Sequence, residues 1–173
     1  MLLLHFTNSE GIRLELGKPK DAKTIGLMSR DLIENGLGWT WTPLRVAKHI
    51  FNPNSLVVVA RSKKTVCGFV ILQFTEKTAN MSLLAVDPSF QRKGIGSDLV
   101  RFVEQSANAA GLASIFLEVR EINKGALIFY RSHGYRQINL LPRYYRNRET
   151  AIRMVYQLKV PIVPDNTKHR STS

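Results

Sequence analysis

A short basic turn that contains two glycines connects an apolar segment to a helical segment near the middle of the chain. The turn spans residues 91–96, the apolar run before it spans 81–86, and a helical pattern starts at Ser97. The first turn of a helix has backbone N–H groups without an intrahelical partner, and the helix dipole adds partial positive charge there. Gly94 and Gly96 leave the backbone bare enough for an anion to approach these groups. The pattern therefore predicts a strand, a turn and a helix that together bind phosphate groups.

The turn also has a simpler interpretation, because a glycine pair before a helix often marks only a tight strand-to-helix connection. The spacing does not fit the dinucleotide-binding fingerprint, which has three glycines, or the Walker loop, in which Ser or Thr follows Gly-Lys. Two side chains favour anion binding, since Arg92 and Lys93 bring mobile positive charge to the rim. The candidate anion-binding residues are Gln91, Arg92, Lys93, Gly94, Ile95, Gly96 and Ser97.

The length of 173 residues and the hydrophobic content of 44% allow one sizeable core and predict a single domain. We place this domain at residues 1–160 and expect the basic tail, 161–173, to be disordered. Residues 1–6 are apolar but short, and they lack a basic leader and a cleavage site. They therefore suggest an edge strand or an unstructured start rather than a signal peptide. No apolar stretch approaches the roughly 20 residues of a membrane-spanning helix, so no membrane partner is expected.

Cysteine and histidine usage gives further expectations. The single cysteine, Cys67, excludes an internal disulfide framework, and its apolar surroundings predict a buried packing role. This usage fits a cytoplasmic protein. His5, His49 and His169 show no spacing with a cysteine or a carboxylate that is typical of metal ligands, so no metal is expected.

The periodicity of apolar residues alternates between the helical and the extended pattern along the chain. Gly36, Gly111 and Gly134 follow helical segments and are plausible stop signals. The order of the segments predicts a mixed α/β fold. The predicted strands are 12–16, 55–60, 65–74, 80–86, 113–119, 135–140 and 151–158, and the predicted helices are 20–35, 43–50, 97–110 and 124–132.

The glycine turn, preceded by Val-Asp-Pro at 86–88 and followed by an amphipathic helix, resembles the acetyl-CoA-binding motif of the GNAT superfamily of N-acetyltransferases. The resemblance implies the GNAT fold, a mixed and mostly antiparallel central sheet flanked by helices, with acetyl-CoA as co-substrate. In that superfamily the strand before the turn splays from its neighbour, and the pantetheine amides dock on its open edge. For Asn123 the resemblance implies a hydrogen bond to the pantetheine arm. Asn123 is also a natural helix N-cap, and this purely structural role is the alternative. The resemblance implies contacts to the bound cofactor from the backbones of Leu84, Ala85 and Val86, from the side chain of Asn123 and from Tyr130.

A second series of residues narrows the resemblance. It begins with Leu-Glu-Val-Arg at 117–120 and ends with a strand that contains Met154. Together with the glycine turn, the series covers about residues 83–154 and resembles RimI-like enzymes, the N-alpha-acetyltransferases of ribosomal proteins. Between its ends lie Asn123, Ala126, Phe129, Tyr130, Gly134, Tyr135, Tyr144 and Tyr145.

Acetylation of an amine requires a base that removes a proton and an acid that reprotonates the departing CoA thiolate. Glu118 follows an apolar strand, where partial desolvation makes a carboxylate a better base. The resemblance places Glu118 in the position of the general base and Tyr130 in that of the general acid. The alternatives are a surface Glu118 paired with Arg120 or Arg136, and a Tyr130 that fills the core beside Phe129.

Four aromatic residues are candidates for the acceptor site. Tyr144 and Tyr145 follow Pro-Arg in a predicted loop between the last two strands, where they could wall a slot for a protein N-terminus. Trp39 and Trp41 lie between the first two predicted helices, a region that shapes the acceptor pocket in the GNAT fold. Packing of these rings into the core is the alternative. The tryptophan segment departs from the RimI-like pattern, and this departure concerns the acceptor rather than the acetyl donor.

The net charge of +12 and the pI near 10.2 indicate an anionic partner or a solvated basic face. Candidate partners are the CoA phosphates, an acidic peptide, or nucleic acid such as a ribosome surface. Positive charge is concentrated late in the chain, where Glu149 is the one acid between 131 and 159. The basic residues there are Arg131, Arg136, Arg143, Arg146, Arg148, Arg153 and Lys159.

Three functional hypotheses follow. The first is an acetyl-CoA-dependent N-acetyltransferase of protein N-termini, and the second is a GNAT enzyme that acetylates a polyamine, an amino acid or an aminoglycoside. The third is a non-enzymatic nucleic-acid or ribosome-binding protein. The combination of Glu118, Asn123 and Tyr130 argues against the third, because a pure binding protein needs none of them. The sequence alone does not define the acceptor or the oligomeric state.

Overall fold

The structure of the chain is a computed structural model that describes residues 6–7 and 11–158. Residues 1–5 of the N-terminal segment and the predicted disordered tail, 161–173, lie outside the described residues.

The described residues form eight strands and four α-helices. A 3-10 turn at Pro19–Asp21 leads into the first helix, a π-helical turn at Ser29–Ile33 follows it, and another 3-10 turn at Pro88–Phe90 precedes the third. The strands are β1 (Phe6–Thr7), β2 (Ile12–Leu16), β3 (Ser55–Ser62), β4 (Thr65–Phe74), β5 (Thr78–Val86), β6 (Ser114–Arg120), β7 (Arg136–Tyr145) and β8 (Glu149–Gln157). The helices are α1 (Ala22–Met28), α2 (Pro43–Phe51), α3 (Ile95–Ala109) and α4 (Lys124–Ser132).

The strands form one sheet in the order β1-β2-β3-β4-β5-β6-β8-β7. Every neighbouring pair is antiparallel except β5 and β6, which are parallel. A parallel pair needs a long crossover connection, and here α3 provides it. The predicted mixed and mostly antiparallel sheet flanked by helices is therefore confirmed.

Different helices cover the two faces of the sheet, because successive residues of a strand point to opposite faces. On β3, Val58 belongs to the core that contains Leu99 of α3. The next residue, Val59, belongs to a second core that contains Ile25 of α1 and Val46 of α2. The sheet thus separates the helix that follows the glycine turn from the helices that precede the meander.

The predicted elements agree with the structure except at two places. The predicted helix 20–35 is interrupted, since α1 ends at Met28 and the π-helical turn follows. The predicted strand 135–140 continues to Tyr145 as β7, so Tyr144 and Tyr145 lie in a strand and not in a loop. Strand β7 tolerates Pro142 because it is an edge strand, and the left-handed Arg143 (φ 57°) marks a shift of its pairing with β8.

A carboxyl group is buried where α3 meets the start of β7. Oε1 of Glu104 and the Tyr135 hydroxyl are buried, and neither completes a hydrogen bond of good geometry with another described residue. Burial raises the pKa of Glu104 to about 7, although the nearby Tyr135 hydroxyl and the charge of Arg101 oppose this rise. The Tyr135 ring in turn packs edge-on against Tyr130 at 5.6 Å.

The raised pKa of Glu104 predicts a pH-dependent stability. The native state keeps this proton up to about pH 7, whereas the unfolded chain releases it near the ordinary value of 4.5. The free energy of unfolding should therefore fall as the pH rises from 4.5 to 7. In Glu104→Gln this fall should disappear, which leaves the variant roughly 1–2 kcal/mol more stable than the parent at pH 8, given the partial solvent access of the group.

Urea unfolding at pH 5 and at pH 8 measures the effect. The control is Glu76→Gln, which replaces an exposed glutamate in the β4–β5 turn. A Glu104→Gln variant whose stability relative to the parent is the same at both pH values would contradict the assignment.

Candidate functional site

A cleft opens where the parallel strands β5 and β6 separate. The two strands pair only from Thr78 to Asn80, opposite residues 114–116. Beyond this point they diverge and enclose a cavity of about 840 Å³. A β-bulge on the other side of β5 contributes to the bend, because Leu72 pairs with Met81 while Ile71 pairs with Leu83. Ser82 is the extra residue.

The open edge of β5 forms one wall of the cleft. Leu84, Ala85 and Val86 line it, and their strand pairs with β4 on its other side. Since the ladder with β6 ends at Asn80, the backbone groups of β5 beyond that residue have no strand partner on the cleft side. An extended ligand that carries amide groups can add to such an edge as a further strand.

The glycine turn forms the end of the cleft where α3 begins. Its entry is fixed by two side chains: Asp87 accepts a hydrogen bond from the Ser89 amide at 2.9 Å, and Gln91 donates to the Val86 carbonyl at 3.2 Å. Gly94 adopts a left-handed conformation (φ 77°) and serves as the N-cap of α3 without a capping side chain. The amides of residues 95–97 therefore have no partner within the helix, as anion binding requires.

The two glycines of the turn have different structural roles. A Cβ at Gly94 would meet no atom within 4 Å, so this position is open. A Cβ at Gly96 would lie 3.3 Å from the Phe129 ring, so Gly96 also allows α3 to approach α4 closely. Every predicted anion-binding residue from 91 to 97 lines the cleft except Lys93, whose ammonium lies 5.3 Å from the centre of the Phe90 ring.

Glu118 and Tyr130 both line the cleft. The Glu118 side chain is only 13% exposed, and its carboxylate lies 3.5 Å from Nε of Arg153 on the neighbouring strand. The alternative pairing with Arg120 or Arg136 is thus not observed. The Tyr130 hydroxyl is buried and contacts the sulfur of Met81 at 3.9 Å. Burial holds the pKa of this phenol well above its ordinary value, so the proton stays available for donation at neutral pH.

Asn123 caps α4 and also lines the cleft. Its Oδ1 atom accepts a hydrogen bond from the Ala126 amide at 3.1 Å, which confirms the N-cap alternative. Among the described residues, its side-chain NH₂ group has no hydrogen-bond partner. The cap therefore uses the acceptor atom of the side chain and leaves its donor free.

The four aromatic candidates for the acceptor site are separated by the fold. Tyr145 lines the cleft, and its hydroxyl contacts the Glu118 carbonyl at 3.4 Å. Tyr144 is half-exposed and packs edge-on against Tyr145, outside the cleft. Trp41 is buried in the core beside His49, so the expectation that it lines the acceptor pocket is not met.

Trp39 lies in the segment that connects α1 and α2 and does not line the cleft. Its indole N–H is shared by the carbonyls of Gly26 and Trp41, each at 3.1 Å. The ring borders a separate cavity of about 390 Å³. Trp39 therefore stabilises the segment rather than the cleft surface, because its polar atom is used internally.

Three apolar residues at the cleft mouth were not identified from the sequence. Leu32 and Ile33 come from the π-helical turn after α1, and Leu37 follows four residues later. The predicted helix 20–35 places Leu32 and Ile33 in the apolar stripe that would pack on the sheet. The π-helical turn redirects them into the cleft, and π-helical turns frequently occur at functional sites. A change of helical register of this kind leaves no clear signal in the sequence.

The buried carboxylate of Glu34 shapes the segment that carries Leu37. It accepts hydrogen bonds from the amides of Thr40 and Trp41 at 2.8 and 3.0 Å, and from the hydroxyls of Ser29 and Thr40. Four donors satisfy one buried carboxylate, as its burial requires. The segment 34–41 is therefore fixed at the mouth of the cleft.

Arg120 connects three elements at the same mouth. Its guanidinium donates two hydrogen bonds of 2.7 Å to the Glu149 carboxylate, at the start of β8. It also donates to the Asn35 carbonyl at 3.1 Å. This hydrogen bonding raises the pKa of Arg120 and lowers that of Glu149. The end of β6, the β7–β8 hairpin and the α1–α2 segment are thus held together by one bidentate ion pair and one further bond.

Within residues 6–7 and 11–158, no group of three or more His, Cys, Asp or Glu side chains is positioned to hold a metal ion. None of the helices in this part of the chain is long and apolar enough to cross a bilayer.

A sheet that splits beside a helix start with unpaired amides, with a carboxylate and a phenol lining the split, fits an acyl-CoA-dependent acetyltransferase. The acetyltransferase (GNAT) family profile matches residues 27–135, which is more than half of the chain. The chain belongs to this family and is a GNAT acetyltransferase. Members of the family use acetyl-CoA.

Two relatives extend this result. The chain is 33% identical over 110 residues to the N-alpha-acetyltransferase RimI of Mycobacterium tuberculosis, a match that covers 61% of this chain and 68% of that protein. It is 32% identical over 96 residues to the ribosomal protein bS18-alanine N-acetyltransferase of Escherichia coli K12, covering 54% of this chain and 65% of that protein. The matches thus span about two thirds of these curated relatives, and they confirm the resemblance to RimI-like enzymes.

Solved structures share the fold. The crystal structure of the Escherichia coli ribosomal-protein-S18-alanine N-acetyltransferase superposes with a TM-score of 0.77 at 22% identity, covering 91% of this chain and 99% of that one. Arabidopsis thaliana NAA60 in complex with acetyl-CoA gives a TM-score of 0.75 at 15% identity, covering 85% and 98%.

The bonds of Arg120 predict a local effect on backbone dynamics. In Arg120→Lys the charge remains, but a single nitrogen replaces the three separate guanidinium nitrogens that reach Glu149 and the Asn35 carbonyl, so the bond to Asn35 should be lost. Hydrogen exchange of the amides in 34–40 should therefore become roughly five- to tenfold faster, as the loss of one charge-assisted hydrogen bond implies. Exchange in α3 should not change. Arg101→Lys, which alters the ion pair of an exposed arginine with Asp98 on α3, is the control. Equal exchange in 34–40 for the parent and Arg120→Lys would exclude the connection.

Proposed function

We propose that this GNAT acetyltransferase transfers the acetyl group of acetyl-CoA to the α-amine of a protein N-terminus. One observation carries the proposal: Glu118 and Tyr130 line the same cleft, which opens between the unpaired edge of β5 and the end of β6. The similarity to two bacterial N-alpha-acetyltransferases supports a protein acceptor.

The residues of the cleft fit acetyl-CoA. In the proposed complex the diphosphate binds the free amides of residues 95–97, with Gln91 and Arg92 at the rim, and the pantetheine arm adds to residues 84–86 of β5. The free NH₂ group of Asn123 donates to the same arm. The unpaired helix start and the open position at Gly94 support this placement, because both leave space and donors for an anion.

The proposed reaction is a direct attack. Glu118 takes a proton from the acceptor ammonium, directly or through a water molecule, and the free amine nitrogen bonds to the thioester carbon. The carbon–sulfur bond then breaks, and the buried Tyr130 hydroxyl donates its proton to the sulfur. The attacking nitrogen loses its second proton, which returns through water to the Tyr130 oxygen and leaves the neutral amide. A backbone N–H on the open edge of β5 is suited to stabilise the developing charge on the carbonyl oxygen. In this scheme Tyr145 borders the acceptor, since it lines the cleft beside Glu118.

The proposal is tested by offering acetyl-CoA with two panels of acceptors. One panel holds peptides with free N-termini, and the other holds polyamines, amino acids and aminoglycosides. Mass spectrometry should find the acetyl group on the α-amine of peptides. Turnover confined to the small amines would establish the alternative acceptor class, a small-molecule amine, and would refute the protein acceptor.

The two catalytic assignments predict selective losses of turnover. Tyr130→Phe should lower kcat by roughly a hundredfold or more, and Glu118→Gln by a similar factor, because each removes a proton-transfer group. Neither should weaken CoA binding. Tyr130→Phe should also fold normally, since its hydroxyl makes only a long contact with the sulfur of Met81.

Kinetics in acetyl-CoA and in acceptor separate the two effects from binding. Tyr156→Phe serves as the control, because this tyrosine packs on Tyr135 rather than in the cleft. Unchanged kcat in both cleft variants would remove the assigned roles.

The phosphate-binding turn predicts a selective loss of CoA binding. Gly94→Ala and Gly111→Ala both place a side chain at a left-handed position, with φ near 77° and 73°, and both positions are sterically open. Each variant should lose roughly 1 kcal/mol of stability from backbone strain. Only Gly94→Ala should reduce the rise in melting temperature that acetyl-CoA produces, because the strain displaces the amides of the turn. An equal ligand-induced rise in both variants would place the phosphates elsewhere.

A further inference from the structure

The turn between β7 and β8 carries exposed positive charge that no described acid neutralises. Arg146 and Arg148 of this turn are exposed, and within residues 6–7 and 11–158 neither of them forms an ion pair. The two nearby acids already have partners, since Glu149 binds Arg120 and Glu118 contacts Arg153. The charge of this turn is therefore available for a ligand.

The turn has a defined conformation. The Arg148 amide donates to the Tyr145 carbonyl at 3.0 Å, and the two residues between them, Arg146 and Asn147, are left-handed with φ of 49° and 56°. The turn holds three residues, 146–148, and its first two positions are left-handed, a conformation for which Asn is well suited and Arg is not. A non-glycine residue held in this conformation is often linked to function.

The turn contacts the opposite side of the cleft mouth. A methyl group at Gly38 would overlap the Arg146 guanidinium, so this guanidinium packs directly on the α1–α2 segment. On one side of the turn, Tyr145 lines the cleft. On the other side, Glu149 is bound by Arg120, which also lines the cleft. The arginines thus border the mouth next to Glu118.

We propose that these arginines bind acidic side chains that follow the acceptor amine, so that the enzyme prefers N-termini with Asp or Glu at positions two to four. The proposal rests on the proposed protein acceptor. An extended peptide advances about 3.3 Å per residue, so these positions lie within roughly 10 Å of an amine placed at Glu118. Arginine is the side chain best suited to carboxylates, which it binds in a bidentate manner.

The test compares peptides with the same first residue and either Asp and Glu or Asn and Gln at positions two to four. The acidic peptides should have a kcat/KM about three- to tenfold higher, as a few exposed ion pairs allow. The difference should shrink as salt is added, because exposed charges are screened. The double substitution Arg146→Gln with Arg148→Gln should abolish the preference and leave the amide peptides nearly unaffected.

A matched control removes the same charge from another place. Arg131→Gln with Arg136→Gln alters two exposed arginines near the opposite end of β7, roughly 30 Å away by the rise of a ten-residue strand. This variant should keep the full preference for acidic peptides. If it loses the preference equally, net charge rather than the turn is responsible, and the proposal is wrong.

Two other outcomes also overturn the proposal. One is an equal kcat/KM for acidic and amide peptides. The other is salt-dependent RNA binding that the Arg146/Arg148 double variant loses while no peptide preference exists, which would assign the turn to nucleic acid. Fluorescence anisotropy of labelled peptides with CoA present gives the same comparison without turnover. Acidic peptides that bind by anisotropy but are not acetylated would refute the proposed reaction and leave the binding site intact.

Discussion

The separation of β5 from β6 is the constraint on which the rest of the structure depends. The two strands share three paired positions and then diverge, and the bulge at Ser82 contributes to the bend. The divergence leaves the backbone of 81–86 without a strand partner on one side. It also opens the space into which Glu118 and Tyr130 project from β6 and α4. A fully paired sheet would close this space, because strands in a ladder lie only about 4.8 Å apart.

The two halves of the cleft are built in different ways. The half proposed for acetyl-CoA is nearly continuous in sequence, since β5, the glycine turn and the first turn of α3 follow one another between residues 78 and 98. The half proposed for the acceptor is assembled from three distant segments. Arg120 ties them together through Glu149 and the Asn35 carbonyl, and Glu34 fixes the segment 34–41 through four donors. One half is therefore set by local geometry and the other by long-range polar contacts.

The electrostatics of the chain follow the same division. Carboxylates at the cleft are paired internally, as Glu118 is with Arg153, whereas the turn between β7 and β8 presents arginines without acidic partners among the described residues. The net charge of +12 is thus unevenly distributed around the site. Behind Tyr130, away from the arginine turn, the contacts are between buried side chains. The Tyr130 ring packs against Tyr135, and Tyr135 lies beside Glu104.

The sequence by itself determined the order of the elements, the bounds of α4, the glycine turn before α3 and the motif that contains Glu118 and Tyr130, because each depends on residues close along the chain. Gly94, for example, adopts its left-handed conformation at the start of α3 because glycine lacks a Cβ, which is a property of the residue itself. Only the tertiary structure decided that Trp41 lies in the core and that Leu32 lines the cleft. It also decided that Arg120 binds a residue 29 positions away. These contacts form between segments that are distant in sequence. They depend on how the helices, the π-helical turn and the β7–β8 hairpin pack against one another, which a local sequence pattern does not specify.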